Sequence, residues 1–391
     1  MNEIVRTGMA GKLLISWTMV LMFLLISPAR ADTEIHDYFS GHYQEARTKF
    51  LDAAEAAGGR LEHYRNPHAG SNGEELYTDI ASFNLTGANT VIVIGSGTHG
   101  VEGFAGSAIQ AGLLREGITE MLPDDVGLLF YHALNPYGFS HLRRFNEENV
   151  DLNRNFVNHT EPHPSNDGYD QLAWLFEPAS LSIWENVKAR AGLVWYRITK
   201  KEHWLRSAIS GGQYRHPNGI FYGGTAKSWS NLTLQKITER YLSSASRVIL
   251  IDVHTGLGEY GAAEAITEIF PDEPNYQWMT QCWDTPVTNP FVGDAVSPVI
   301  HGPLKRGFVK LLPNKDVIAV SLEFGTYPSP TVLWALRSEN HVHHSGGWDH
   351  PDSSILKEEL KNAFYPEKDE WKRMVWTQGS QLVKQTLDCL R

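Results

Sequence analysis

Four short apolar runs constrain this chain more than any other feature. Thr90 to Ile94 (TVIVI), Val126 to Tyr131 (VGLLFY), Arg247 to Val253 (RVILIDV) and Val317 to Phe324 (VIAVSLEF) are rich in apolar residues and scarcely alternate. A strand that is apolar on both faces must be covered on both faces, which is the situation in a parallel sheet. Helical patterns stand between the runs, at 38–58, 103–116, 169–190 and 231–243, and a polar-faced helix is expected over 366–391. Leu76 to Phe83 reads as one more strand. Strands alternating with helices predict an α/β fold, a single domain over 32–391 with a central mixed, mostly parallel sheet covered by helices. The stretch 157–230 is rich in Pro, Gly, Asn, His and Trp and has weak periodicity. It is expected to be a long loop and helical insertion over a functional face.

The chain opens on a different kind of segment. Arg6 and Lys12 precede an apolar stretch from Leu13 to Ile26, and Ala29-Arg30-Ala31 has the small-x-small form of a cleavage site. Residues 1–31 are therefore expected to be a secretory signal peptide, and the protein to be secreted or periplasmic with no stable membrane anchor once the signal is removed. The formal net charge of −11 disfavours nucleic acid and anionic lipid as partners. Cys282 and Cys389 are the two cysteines. They are too few for a four-cysteine metal site, and their spacing does not show whether they meet in a disulfide.

The chemistry gathers at the strand ends. His99-Gly100-Val101-Glu102 follows the TVIVI strand and a Gly-rich turn. Ligand sites in open α/β sheets lie at that edge. Spacing alone is weak, since His42-Tyr43-Gln44-Glu45 repeats it within a predicted helix. A second strand, Ile251-Asp252-Val253-His254, also ends in a histidine. His99, Glu102 and His254 make the two-histidine, one-carboxylate set of a catalytic zinc site, which keeps one position open. Glu323 interrupts the apolar VIAVSLEF strand. A buried carboxylate is costly unless it is paired or has a task, and one beside an activated water can shuttle its proton. Asn135-Pro136-Tyr137-Gly138, Arg143-Arg144 and Asp151-Leu152-Asn153-Arg154-Asn155-Phe156 complete the pattern. Their arginines suit an anionic chain end or an oxyanion. His341, His343 and His344 are expected in a solvated loop rather than a second metal site.

In this order, the motifs between about 90 and 326 resemble the zinc carboxypeptidase (funnelin) family, in a bacterial branch of poorly defined substrate. The resemblance implies one Zn2+ per chain, held by His99, Glu102 and His254. It implies that Glu323 is general base and then acid, and that Arg144 stabilises the oxyanion, with Arg143 as the fallback. Asn153 and Arg154 would grip the substrate carboxylate, and Asp151 would orient His99. Two departures stand out. The mobile tyrosine of many family members has only Tyr260 and Tyr327 as candidates, and the segment 157–230 has no counterpart in the digestive enzymes.

The activity implied is hydrolysis of an amide bond next to a free carboxylate, by a metallocarboxypeptidase acting on peptides. An aspartoacylase-like deacylase of N-acyl amino acids is the alternative within the same chemistry. A catalytically inactive binding protein on the same fold is the alternative outside it, and Glu323 argues against it. No Gly-x-Ser-x-Gly elbow supports a serine hydrolase.

Overall fold

The computed structural model describes residues 35–391; the expected signal peptide at 1–31 lies outside the described residues. The strands are β1 (Arg60–Ala69), β2 (Glu75–Phe83), β3 (Thr90–Gly95), β4 (Val126–His132), β5 (Arg247–Tyr260), β6 (Ala263–Ile266), β7 (Val287–Thr288) and β8 (Asp316–Gly325). They form one mixed sheet in the order β1-β2-β4-β3-β5-β8-β6-β7. The four apolar runs are its parallel centre, β4-β3-β5-β8. Antiparallel pairing of β1 with β2, β2 with β4 and β6 with β8 extends it on both sides. The expected α/β class, a mostly parallel mixed sheet under helices, is what the chain adopts.

Period-two geometry divides each central strand between two cores. Ile92, Ile94, Phe130, Ile249, Ile251 and Val320 face one side. There they meet α1 (Tyr43–Ala56) through Phe50, α2 (Gly103–Arg115) through Ile109 and Leu113, and the last helix of the chain, Asp369–Asp388, through Trp371 and Val375. Val91, Val93, Leu129, Val248 and Leu250 face the other side, against Leu234 and Ile237 of Trp229–Tyr241 and Phe308 of Leu304–Leu311. Each such side chain contributes about 1.5–3 kcal/mol when fully buried, so continuous apolar runs hold the sheet centre from both faces.

Between β4 and the Trp229–Tyr241 helix the chain forms α3 (Pro136–Ser140), α4 (Asp167–Phe176), α5 (Ile183–Thr199) and α6 (Glu202–Ser210). They are followed by α7 (Trp229–Tyr241), α8 (Pro274–Cys282), α9 (Leu304–Leu311), α10 (Ser329–His344), α11 (Ser353–Phe364) and α12 (Asp369–Asp388). A third cluster joins Leu172 of α4, Leu205 of α6, Leu336 of α10 and Phe364 of α11 above the sheet edge.

Several expectations need correction. The helix expected over 169–190 is two helices, because Glu177-Pro178 breaks the run between Phe176 and Ile183. The stretch 157–230 is more helical than expected, with α4, α5 and α6 inside it. His341, His343 and His344 end helix α10 rather than sitting in a loop. The helix expected from residue 38 starts at Tyr43, where His42 caps it by accepting the Glu45 N–H at 3.3 Å. The second H-x-x-E spacing is therefore a helix cap. β1 had no apolar signature because it is an edge strand whose one fully buried residue is Asn66.

Cys282, at the end of α8, is joined to Cys389, just past α12, in a disulfide spanning 107 residues.

Candidate metal centre

The turn Ser96 to Thr98 carries the chain from β3 to His99. Gly97 takes φ +65°, and a Cβ there would stand 2.5 Å from the Ala133 Cβ, so both conformation and space call for glycine. At Gly100 a Cβ would lie 2.0 Å from the Gly138 carbonyl carbon. This close approach lets two loops bind each other. The Gly100 N–H donates to Arg144 O at 3.2 Å, and the Val101 N–H to Arg143 O at 2.8 Å. Asn135 fixes the second loop from within, accepting the Gly138 N–H at 2.8 Å and donating to Arg144 O at 3.2 Å.

One 3-10 turn, Gly100–Glu102, folds Glu102 back so that its Oε1 is 2.9 Å from His99 Nδ1. His254 arrives from β5, where parallel pairing sets it opposite Glu323 of β8. His254 Nδ1 is 3.2 Å from His99 Nδ1 and 3.2 Å from Glu102 Oε2. All three residues are buried. Their ligand atoms lie within 4.8 Å of one another, and they are the one such cluster of three His, Cys, Asp or Glu among the described residues.

The second nitrogen of each ring shows that the set fits a cation. His99 Nε2 faces Asp151 Oδ1 at 3.1 Å, and His254 Nε2 faces Asp252 Oδ2 at 2.6 Å. An imidazole that gives its Nε2 proton to a carboxylate turns the Nδ1 lone pair the other way, here toward the shared centre. Two such lone pairs and a carboxylate at this separation suit a tetrahedral zinc with an open fourth position. Asp252 is itself held by the Thr98 hydroxyl and the Tyr131 hydroxyl, both at 2.8 Å.

Charge is balanced across the cluster. Burial alone would raise the Glu102 carboxyl, but His99 and Arg144 beside it outweigh burial and hold it well below the usual range. Asp151 is likewise held down, burial being overcome by Arg144 and Arg154. Glu323 behaves in the opposite way. Burial, then the negative charge of Glu102, pushes its carboxyl up to about 7. Its Oε1 accepts the Leu257 N–H at 2.9 Å.

The two neighbouring arginines have separate fates. Arg144 lines the pocket, donating from Nη1 to Glu102 Oε1 at 2.7 Å and from Nε to Asp151 Oδ2 at 3.1 Å. Arg143 points away and is fully buried, with Nε 2.9 Å from Glu339 Oε1 and Nη2 2.8 Å from Asn149 Oδ1. Arg143 therefore has no place at the centre. Arg154 is buried on the pocket wall, with Nη1 on Asn153 O at 2.9 Å and Nη2 on Ser210 O at 2.6 Å, while its Nε has no hydrogen-bond partner. Asn153 accepts the Leu304 N–H at 2.8 Å through Oδ1.

His99, Glu102, Arg144, Asn153, Arg154, His254 and Glu323 all line one pocket of about 400 Å³. Leu193 and Arg197 of α5 and Leu205, Arg206 and Ile209 of α6 form another part of its wall. Tyr260 and Tyr327, whose rings lie 6.0 Å apart, are not among its lining residues. Sequence reasoning missed Asp252 as the partner of His254, although a signal was present. Residues two apart on a strand share a face, so an Asp two positions before a ligand histidine can reach it.

Over residues 39–378 the chain matches the family described as "Protein of unknown function (DUF2817)". A comparison with the curated proteins finds no match. Among solved structures, the chain is similar to carboxypeptidase A from Helicoverpa armigera, at 12% identity over 88% of this chain and 73% of that one, with a TM-score of 0.42. A metallo-carboxypeptidase from Burkholderia cenocepacia gives 12% identity, 90% and 70% coverage and a TM-score of 0.43. The murein-tripeptide amidase of Escherichia coli O157 gives 15%, 72% and 91%, and 0.35. Likeness of this degree leaves the chemistry to be read from the side chains of the pocket.

Proposed function

Because the chain belongs to a family described only as a protein of unknown function (DUF2817), its activity has to be read from its site, and we propose that it is a zinc-dependent hydrolase cleaving an amide bond next to a free carboxylate, a carboxypeptidase acting on peptides. The observation that carries this reading is one pocket shared by a His99-Glu102-His254 cluster, a buried Glu323 and two arginines. Bound zinc supplies a Lewis acid that polarises the carbonyl and makes water nucleophilic near neutral pH.

The chain's own residues do the rest. Asp151 and Asp252 orient the two imidazoles. Glu323, a buried carboxylate lining the same pocket as the cluster, is placed to take a proton from the attacking water and pass it to the leaving nitrogen. Arg144 spends Nε and Nη1 on Asp151 and Glu102, which leaves Nη2 for the developing oxyanion. Arg154 is a buried guanidinium on the pocket wall, 3.9 Å from Asp151 through Nη1, and a substrate carboxylate would give its charge a second anionic partner. Leu193, Leu205 and Ile209 offer a bulky substrate group apolar contact on a wall they share with Arg197, Glu202 and Arg206. Secretion into an oxidising compartment belongs to the same proposal, supported by the Cys282–Cys389 disulfide and the signal-like segment at 1–31.

The test compares kcat/KM for a peptide with a free C-terminus and for its C-terminally amidated form. The free acid is expected to be cut at least ~10²-fold faster, the scale of a lost charge-assisted contact in a buried site. Arg154→Ala should narrow that gap. Equal rates on the unmodified protein would remove the carboxypeptidase reading, and a preference for short acyl-amino acids over every peptide would move the activity to deacylation.

A further inference from the structure

Helix α5 presents the wrong side to water. Ile183 and Trp184 are each 81% exposed, Ile198 76%, Trp195 64%, Val194 56% and Val187 51%. At about 100° per residue, these six side chains and Ala191 fall within one stripe about 120° wide. The opposite face holds Ala189, which is buried, with Leu193 and Tyr196 packed against the cluster above the sheet. The helix therefore has two apolar faces and only one of them is covered. Soluble monomers seldom expose so contiguous an apolar surface unless something binds there.

The charges at its rim indicate what binds. Arg190 and Arg197 flank the stripe on one edge and Lys188 on the other, with Lys200 and Lys201 just past the end of the helix. From Ser182 to Lys201 the sole acid is Glu185. A basic helix stands here on a chain whose formal net charge is −11. Tryptophans and aliphatics on one face with lysine and arginine along its edges are the composition of a helix lying in the headgroup layer of a membrane. A second copy of the chain fits less well, since a two-fold contact through this stripe would set the basic edges against each other.

We propose that α5 docks the protein onto an anionic lipid surface, the stripe from Ile183 to Ile198 entering the headgroup boundary and the flanking basic residues meeting lipid phosphates. Net charge suggested the reverse for anionic lipid, but the quantity that matters is the charge within a Debye length of the surface, and there the helix is positive. Leu193 and Arg197 of the same helix line the pocket, so docking would bring its mouth close to the lipid.

Co-sedimentation tests this with vesicles of phosphatidylcholine alone and of phosphatidylcholine mixed with phosphatidylglycerol. The unmodified protein is expected to bind the anionic vesicles with a blue shift of tryptophan emission, and to release them as salt rises. The triple variant W184S/W195S/I198S should bind at least ~10-fold more weakly while keeping its circular dichroism and its rate on a soluble peptide, because none of the three residues lines the pocket. Quenching of the unmodified protein's tryptophans by brominated lipid checks insertion without any variant. The proposal is overturned if the unmodified protein leaves anionic vesicles unbound, or if the triple variant binds them equally well. It is also overturned if binding is lost with residues 1–31, or if light scattering shows a dimer that the triple variant dissociates.

Discussion

Each histidine of the candidate metal cluster is half of a pair, and the carboxylate half is the more informative prediction. Asp252 faces His254 Nε2 at 2.6 Å and lies outside the lining of the pocket. Asp252→Asn is expected to weaken zinc by ~10–100-fold in a chelator competition, with the fold intact, because the ring loses its orientation and basicity. Undiminished affinity would mean that the Nδ1 lone pair of His254 does not depend on that contact. The cluster is expected to hold one zinc per chain, and His99→Ala or His254→Ala should abolish its retention. Glu323→Gln separates binding from chemistry. It should keep zinc and lose turnover by at least ~10²-fold, the effect of removing a general acid-base group. A near-normal kcat would take Glu323 out of the proton path.

Loops between elements decide where those residues stand. The Asn135–Gly138 turn, α3 and the His99 loop bind one another through backbone, and this sends Arg144 into the pocket and Arg143 into α10 and α11. There Arg143 and Lys357 flank Glu339 at 2.9 and 2.8 Å, all three buried. Burial alone would raise the Glu339 carboxyl, but these two cations outweigh it and hold it at about 2. A folded pKa below the unfolded value stabilises the protein above the unfolded pKa and loses that contribution as pH falls through the folded one. Glu339→Gln should therefore cost about 3–5 kcal/mol at pH 7 in denaturant unfolding. The gap between variant and unmodified protein should close as pH drops from about 4.3 toward the folded value. A gap that is constant over that range would show that the charge of Glu339 is not what is lost.

For the molecule as a whole, α8 and α12 are tied by the Cys282–Cys389 disulfide across 107 residues. Closing a loop of that size removes about 4–5 kcal/mol of unfolded-state entropy. The double variant Cys282→Ser/Cys389→Ser is expected to melt about 5 °C lower by calorimetry, a small shift because the unfolding entropy of a chain this long is large. Full activity at ambient temperature should survive, since neither cysteine lines the pocket. An unchanged Tm would show that the bridge adds nothing to the packing of α12 on the sheet. The parallel centre of that sheet, and the position of His99, His254 and Glu323 beside its apolar runs, were legible in the chain because burial on both faces forces unbroken apolar runs, although β5 does not end at His254 as expected but runs on to Tyr260. An intruding charge or histidine then stands out against them. β1 was not legible, because an exposed edge strand needs no apolar pattern. Neither was the contrast between Arg143 and Arg144, adjacent residues whose difference comes from backbone contacts to loops remote in sequence. The pairing of Cys282 with Cys389 and the exposed stripe of α5 belong to the same class. A helix can be amphipathic in either direction, and only the packing of α4, α6 and α10 around it determines which apolar face is buried and which is left to meet a surface.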